Sequence, residues 1–237
     1  MSKNVVAGVP NDTMTRRGRV GKRYDMMSEG TDPAIVRAWL AARSIARGLP
    51  APVDDRGGFR VDTGSDTEVR RWVFPAMGPG LRELAGSITA PGHLLKLCGD
   101  ADELRSVLSP GWQVHAPGYV MRSDGAPAVR PPPAGYRIEL ARSDAVVRVH
   151  ILSGDGAVAA SGYAVEAGGV FVYDRIVTQS AHRRRGLGGV VMAILGSAKR
   201  DPASIEVLVA TDDGRALYST LGWRTVSAYS TASIAVE

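Results

Sequence analysis

The sequence holds a single cysteine, Cys98, which excludes an intrachain disulfide and any cysteine-rich zinc site. Its four histidines, His93, His115, His150 and His182, stand far apart and offer no metal-ligand spacing. No apolar run approaches the roughly 18 residues of a membrane span. The opening residues, Met1 to Pro10, lack an apolar stretch long enough for a secretory signal. These absences point to a soluble, cytoplasmic, metal-free protein. What is present is ordinary globular material, 44% hydrophobic and 22% charged over 237 residues. That length suits one large domain or two small ones.

The formal net charge of +5 fits either nucleic-acid binding or an enzyme that holds a polyanionic cofactor. Its distribution narrows the matter. Residues 1–30 carry Lys3, Arg16, Arg17, Arg19, Lys22 and Arg23 against Asp12, Asp25 and Glu29, more than half of the excess. Without apolar periodicity, this segment reads as a disordered basic tail, which translation from Met14, Met26 or Met27 would shorten.

Order is expected from Asp32-Pro33, an N-cap followed by proline at the first helical position, with the helix stopped by Gly48 and Pro50. Short strands at 59–61 and 68–74 follow, then a helix over 80–88, a buried strand over 93–98, a helix over 102–108 and a broken strand over 112–121. The proline-rich stretch 123–135, with Pro131, Pro132 and Pro133 in succession, is the clearest linker. Beyond it, strands are expected over 136–141, 146–152, 157–165 and 170–177, with hairpin turns at 153–156 and 166–169. A helix over 185–199, a strand over 204–209, a helix over 214–221 and closing strands from Trp223 complete a mixed α/β pattern.

The chemistry concentrates in Val177-Thr-Gln-Ser-Ala-His-Arg-Arg-Arg-Gly-Leu-Gly-Gly189, where a strand ends in a basic loop and glycines open a helix. Unpaired N–H groups and the positive dipole end make such a helix start an anion site. Glycine admits a phosphate close to the backbone, and arginines at the rim add charge-assisted bonds. No Gly-Lys-Ser/Thr is present, and the third glycine of a dinucleotide fingerprint is missing, so neither common phosphate loop fits.

The spacing Arg183-x-x-Gly186-x-Gly188 resembles the Arg/Gln-x-x-Gly-x-Gly/Ala signature of the GNAT superfamily of acyl-CoA N-acyltransferases. The downstream stretch Leu208 to Trp223, with Leu217-Tyr-Ser-Thr-Leu-Gly-Trp223, resembles that superfamily's strand, helix and closing motif. The likeness covers roughly residues 136–237. It implies a GNAT fold and an acetyl-CoA-dependent N-acetyltransferase working by direct transfer in a ternary complex. Backbone groups of Ile176 and Val177 would hold the pantetheine arm, and Arg183, Arg184, Arg185, Gly186, Leu187, Gly188 and Gly189 would cradle the pyrophosphate. Tyr218 would protonate the departing thiolate, and Asp174 is the best-placed base. The acceptor would be a primary amine, on a small molecule such as an amino acid, polyamine or antibiotic, with a protein N-terminus or lysine as the alternative. No metal or membrane is implied, nucleic acid is the weaker partner, and homodimerisation stays open. A non-catalytic acyl-CoA sensor or a basic nucleic-acid module is the alternative. One departure stands out: the superfamily places two helices between its first two strands, and here only Arg142-Ser-Asp-Ala145 intervenes.

Residues 31–122 read as a degenerate copy of the unit at 136–237. Gly78-Pro-Gly-Leu81 echoes Gly186-Leu-Gly188, and Gly111-Trp112 echoes Gly222-Trp223. Pro75 stands where the second unit has Arg183, and Arg105 where it has Tyr218. A tandem pair is therefore expected, with the first copy structural. Cys98, in an apolar strand, is expected to be buried and unreactive.

Overall fold

The computed structural model describes residues 31–123, 125 and 131–234. The expected basic tail and six of the thirteen residues of the proline-rich linker, 124 and 126–130, lie outside the described residues. The first half contains α1 (Pro33–Arg47), β1 (Val53–Asp55), β2 (Gly58–Asp62), β3 (Arg70–Phe74), α2 (Pro79–Ser87), β4 (His93–Leu97), α3 (Ala101–Arg105), β5 (Trp112–Val114) and β6 (Gly118–Ser123). The second contains β7 (Arg137–Ser143), β8 (Val146–Leu152), β9 (Val158–Ala167), β10 (Val170–Thr178), α4 (Leu187–Gly196), β11 (Ile205–Ala210), α5 (Asp212–Thr220) and β12 (Arg224–Ile234).

Local chemistry accounts for most of these boundaries. Asp32 caps α1 by accepting from the Ala34 N–H at 2.8 Å, Pro33 opens it, and Gly48 ends it in the left-handed region. Asp100 and Glu103 form a capping box on α3. Several of the expected boundaries shift. The helix expected over 185–199 is shorter at both ends, because Gly186 is its N-cap. The expected broken strand becomes two strands, β5 and β6, and β6 takes in Ser123, the first expected linker residue. The hairpin β1–β2 begins earlier than the sequence pattern suggests.

All twelve strands among the described residues join one sheet, in the order β1-β2-β3-β4-β12-β6-β11-β10-β9-β8-β7, with β5 alongside β12. Two pairs are parallel, β3 with β4 and β10 with β11, and α2 and α4 lie between their members in sequence. The pattern repeats, and the two halves then trade strands. β6 of the first half inserts between β11 and β12 of the second. The far end of β12, from Ser230 on, inserts between β4 and β5 of the first. Each half thus completes the other's sheet.

Alternation along the strands divides the core by face. Trp72 and Phe74 meet α2 in one cluster, and Phe171 and Tyr173 meet α4 in a second. Val73, Val170 and Val172 point the other way, into a third cluster under Val36, Trp39 and Leu40 of α1. So α2 and α4 cover one face of the sheet, and α1 alone spans the junction of the halves on the other. No helix among the described residues is long and apolar enough to cross a membrane.

The α1 face buries two reactive groups. Burial pushes the Cys98 thiol up to about 12, in keeping with an inert side chain. Lys96 on β4 is buried, donating to Thr231 Oγ1 at 3.2 Å, and burial together with nearby Arg43 brings its ammonium down to about 7. A lowered lysine binds fewer protons folded than unfolded, so its penalty is full below pH 7 and fades between 7 and its ordinary 10.5. Lys96→Met is therefore expected to raise Tm by roughly 5 °C at pH 6, with the gain shrinking steadily towards pH 10. Thermal melts across that range check it.

Candidate active site

β10 and β11 pair only at Val170–Ile205, Phe171–Glu206 and Val172–Val207. Beyond that point they part. The cause lies in β10, where a bulge between Asp174 and Val177 interrupts its register with β9 and Arg175 takes a positive φ of 52°. A bulge bends its own strand and re-aims the side chains beside it. Ile176 in the bulge and Val177 just past it face the gap with no β11 partner for their backbone.

A cavity of about 1150 Å³ fills the gap and is lined from both faces of the sheet. On one side stand the first turn of α4 and one face of α5. On the other stands α1.

The α4 end has the chemistry of an anion site. Gly186 caps the helix in the left-handed region at φ 77°, and no side chain occupies the cap. The N–H groups of the first turn have no partner within the helix, and Leu187, Gly188 and Gly189 line the cavity. Gly188 keeps this corner open, since a Cβ there would lie 2.9 Å from Leu217 Cδ2 on α5 and the end of that side chain would have to shift. Arg183 and Arg184 rim the same mouth, Arg183 Nε donating to Thr178 O at 3.5 Å. Arg185 departs from the expectation: its guanidinium donates to Tyr136 Oη at 3.0 Å, and that hydroxyl also bonds His182 Nδ1 at 2.9 Å. Tyr136 fixes Arg185 away from the cavity.

Tyr218 lies on α5, which starts at Thr211, whose hydroxyl accepts from the Gly214 N–H at 3.3 Å. The Tyr218 ring packs 6.1 Å from that of Trp223 and forms part of the cavity wall. Burial alone pushes its phenol up to about 12, so it stays protonated throughout the neutral range.

Asp174 also reaches the cavity, from the α1 face, but its surroundings do not suit a base. Arg47 donates to both its oxygens, from Nε at 2.7 Å and Nη2 at 2.9 Å, and Arg43 and Arg175 approach to 3.5 Å. Burial opposes its charge, yet the bonds from Arg47 and the charges of Arg43 and Arg175 hold the carboxyl below its ordinary range. A carboxylate so stabilised is a poor proton acceptor. The sequence expectation for Asp174 is corrected on that ground.

Sequence reasoning missed Trp39, Arg43 and Arg47, which line the cavity from α1. Their spacing of four residues places all three on one helical face, which was the available signal. α1 packs on β9 and β10, on the face that the tight Asp144-Ala145 turn between β7 and β8 leaves without a helix.

The first half has no such gap. β3 and β4 pair at all five positions from Arg70–His93 to Phe74–Leu97. The start of α2 is closed as well: a Cβ on Gly80 would lie 1.9 Å from Arg56 O, in the turn between β1 and β2. The Gly-x-Gly of the first half serves backbone packing.

No family model matches the chain, and no curated protein does. Solved structures do. A GCN5-related N-acetyltransferase from Kribbella flavida superposes with a TM-score of 0.60 at 16% identity, over 86% of this chain and 96% of that one. A GCN5-related N-acetyltransferase-like protein from Streptococcus suis gives 0.54 at 16%, over 76% and 84%. A GCN5-related N-acetyltransferase from Sphaerobacter thermophilus gives 0.53 at 12%, over 88% and 95%. Parted parallel strands beside a glycine-opened helix leave an open cleft in a mixed α/β sheet. The chain has the fold of the GCN5-related N-acetyltransferases.

Proposed function

We propose that this protein is an acetyl-CoA-dependent N-acetyltransferase that modifies a primary amine by direct transfer in a ternary complex. The observation that carries the reading is the cavity between β10 and β11, which joins an anion site at α4 to an arginine-lined chamber under α1. The first turn of α4, with Arg183 and Arg184, would bind the CoA pyrophosphate. The backbone of Ile176 and Val177, which has no β11 partner, would hold the pantetheine arm and polarise the thioester carbonyl. The amine nitrogen attacks that carbonyl, an N–C bond forms, and the C–S bond breaks. Tyr218 gives its proton to the thiolate, and the proton lost by the amine passes to water, which reprotonates the phenolate. Asp174 acts on position, holding Arg43 and Arg47 in place. In this reading residues 136–237 carry the chemistry, and residues 31–122, joined through 123–135, are a copy without it that supplies α1 and β6.

Calorimetry with acetyl-CoA and an assay of free CoA over an amine panel test the proposal. Micromolar binding with amine-dependent release of CoA is the expected result. Binding without turnover of any amine would favour an acyl-CoA sensor, and absence of binding would remove the reading.

A further inference from the structure

The proposed function leaves the acceptor unnamed, and the chamber under α1 carries information about it. Three guanidiniums, those of Arg43, Arg47 and Arg175, converge there on one carboxylate, Asp174. Two positive charges are left over in a partly desolvated place, the Arg43 and Arg47 side chains being only 18% and 26% exposed. Burial lowers the affinity of Arg43 for its proton, which reflects the strain of holding that charge.

The bonding leaves donors available. Arg47 uses Nε and Nη2 on Asp174, and Arg43 uses Nε alone. Among the described residues, both Nη groups of Arg43 and Nη1 of Arg47 bond no protein acceptor. Arg175 is held in place by donating to Ala46 O and lying over the Tyr163 ring at 3.9 Å. The Trp39 ring lies 5.4 Å from the Arg43 guanidinium and adds an apolar wall. Guanidinium forks fixed in this way match a planar carboxylate.

The phosphates of the acyl donor do not account for this charge, because the α4 anion site lies at the other end of the cavity, across the sheet. A polyamine is disfavoured too: of the two carboxylates lining the cavity, Asp213 stands on α5 across the sheet, and Asp174, on the α1 side, is already neutralised by arginine. We infer that the acceptor is a small primary amine bearing a carboxylate, such as a free amino acid, held by Arg43 and Arg47 so that its nitrogen faces the parted strands. The inference rests on the proposed acetyl transfer.

Matched acceptors test it: free amino acids, their carboxamides, and the amines left by removing the carboxylate. The carboxylate members are expected to exceed the others by about 100-fold or more in kcat/KM. Arg43→Gln should raise KM for amino acids by about 30-fold and for their carboxamides by far less, so that the preference for the carboxylate narrows. Arg43→Lys should recover part of that loss. Arg43 is chosen because Arg47 retains the main bonds to Asp174, and thermal melting confirms folding of each variant.

Equal rates on carboxamides or decarboxylated amines would overturn the inference while leaving acetyl transfer intact. Preference for a phosphorylated amine such as phosphoethanolamine would overturn the carboxylate assignment. A second readout needs no turnover: N-acetyl amino acids should bind the protein in calorimetry, and weaken with Arg43→Gln. If acetyl-CoA fails to bind and they still do so, the carboxylate site stands and the reaction falls. If they do not bind, the site falls.

Discussion

Gly188→Glu is expected to weaken acetyl-CoA binding at least about 100-fold, near 2.7 kcal/mol, in a protein that still folds. Two effects add. A Cβ at this position would lie 2.9 Å from Leu217 Cδ2, so any side chain is forced into the gap between α4 and α5. A carboxylate in the first turn would then bond the helix N–H groups that a phosphate would use. It would satisfy the helix start, so stability should change little while binding is lost. Calorimetry with acetyl-CoA, beside a thermal melt, separates the two. The matched control is Arg185→Ala, which should shift the affinity by less than about 2-fold, because Tyr136 holds that guanidinium away from the cavity. Full affinity in Gly188→Glu would move the phosphate site away from α4.

The contrast between Arg183 and Arg185 indicates how far sequence reasoning reaches. Three adjacent arginines before a glycine-opened helix point to a candidate anion site, because helix-end chemistry is local. Which arginine faces the anion depends on Tyr136, 49 residues away in the chain. Helices and strands of the second half were legible for the same local reason, through period, caps and turn residues. The repeat was legible from its glycines, although Gly80 turned out to meet Arg56 rather than a ligand. The exchange of β6 and β12 between halves was not legible. Nothing in a strand's own residues specifies its neighbours when both faces of the sheet are covered. Asp174 failed as a base for a related reason: a carboxylate's basicity is set by what surrounds it, and Arg43 and Arg47 come from α1, more than a hundred residues earlier.

Tyr218→Phe is expected to lower kcat by about 100-fold while leaving acetyl-CoA affinity unchanged. The ring remains packed on Trp223, so the loss is confined to one hydroxyl. Burial alone shifts this phenol, so its removal severs no protein hydrogen bond among the described residues. The pH profile gives an independent reading. A phenol pushed up to about 12 stays protonated to the limit of an ordinary assay, so the wild-type rate should rise with pH as the amine loses its proton, with no alkaline fall below about pH 11. The leaving group supplies the decisive comparison. A thioester whose thiol is more acidic than that of CoA departs without needing a proton, and with such a donor the defect of Tyr218→Phe should shrink to a few-fold. An equal defect with both donors would mean that Tyr218 shapes the cavity wall and donates no proton.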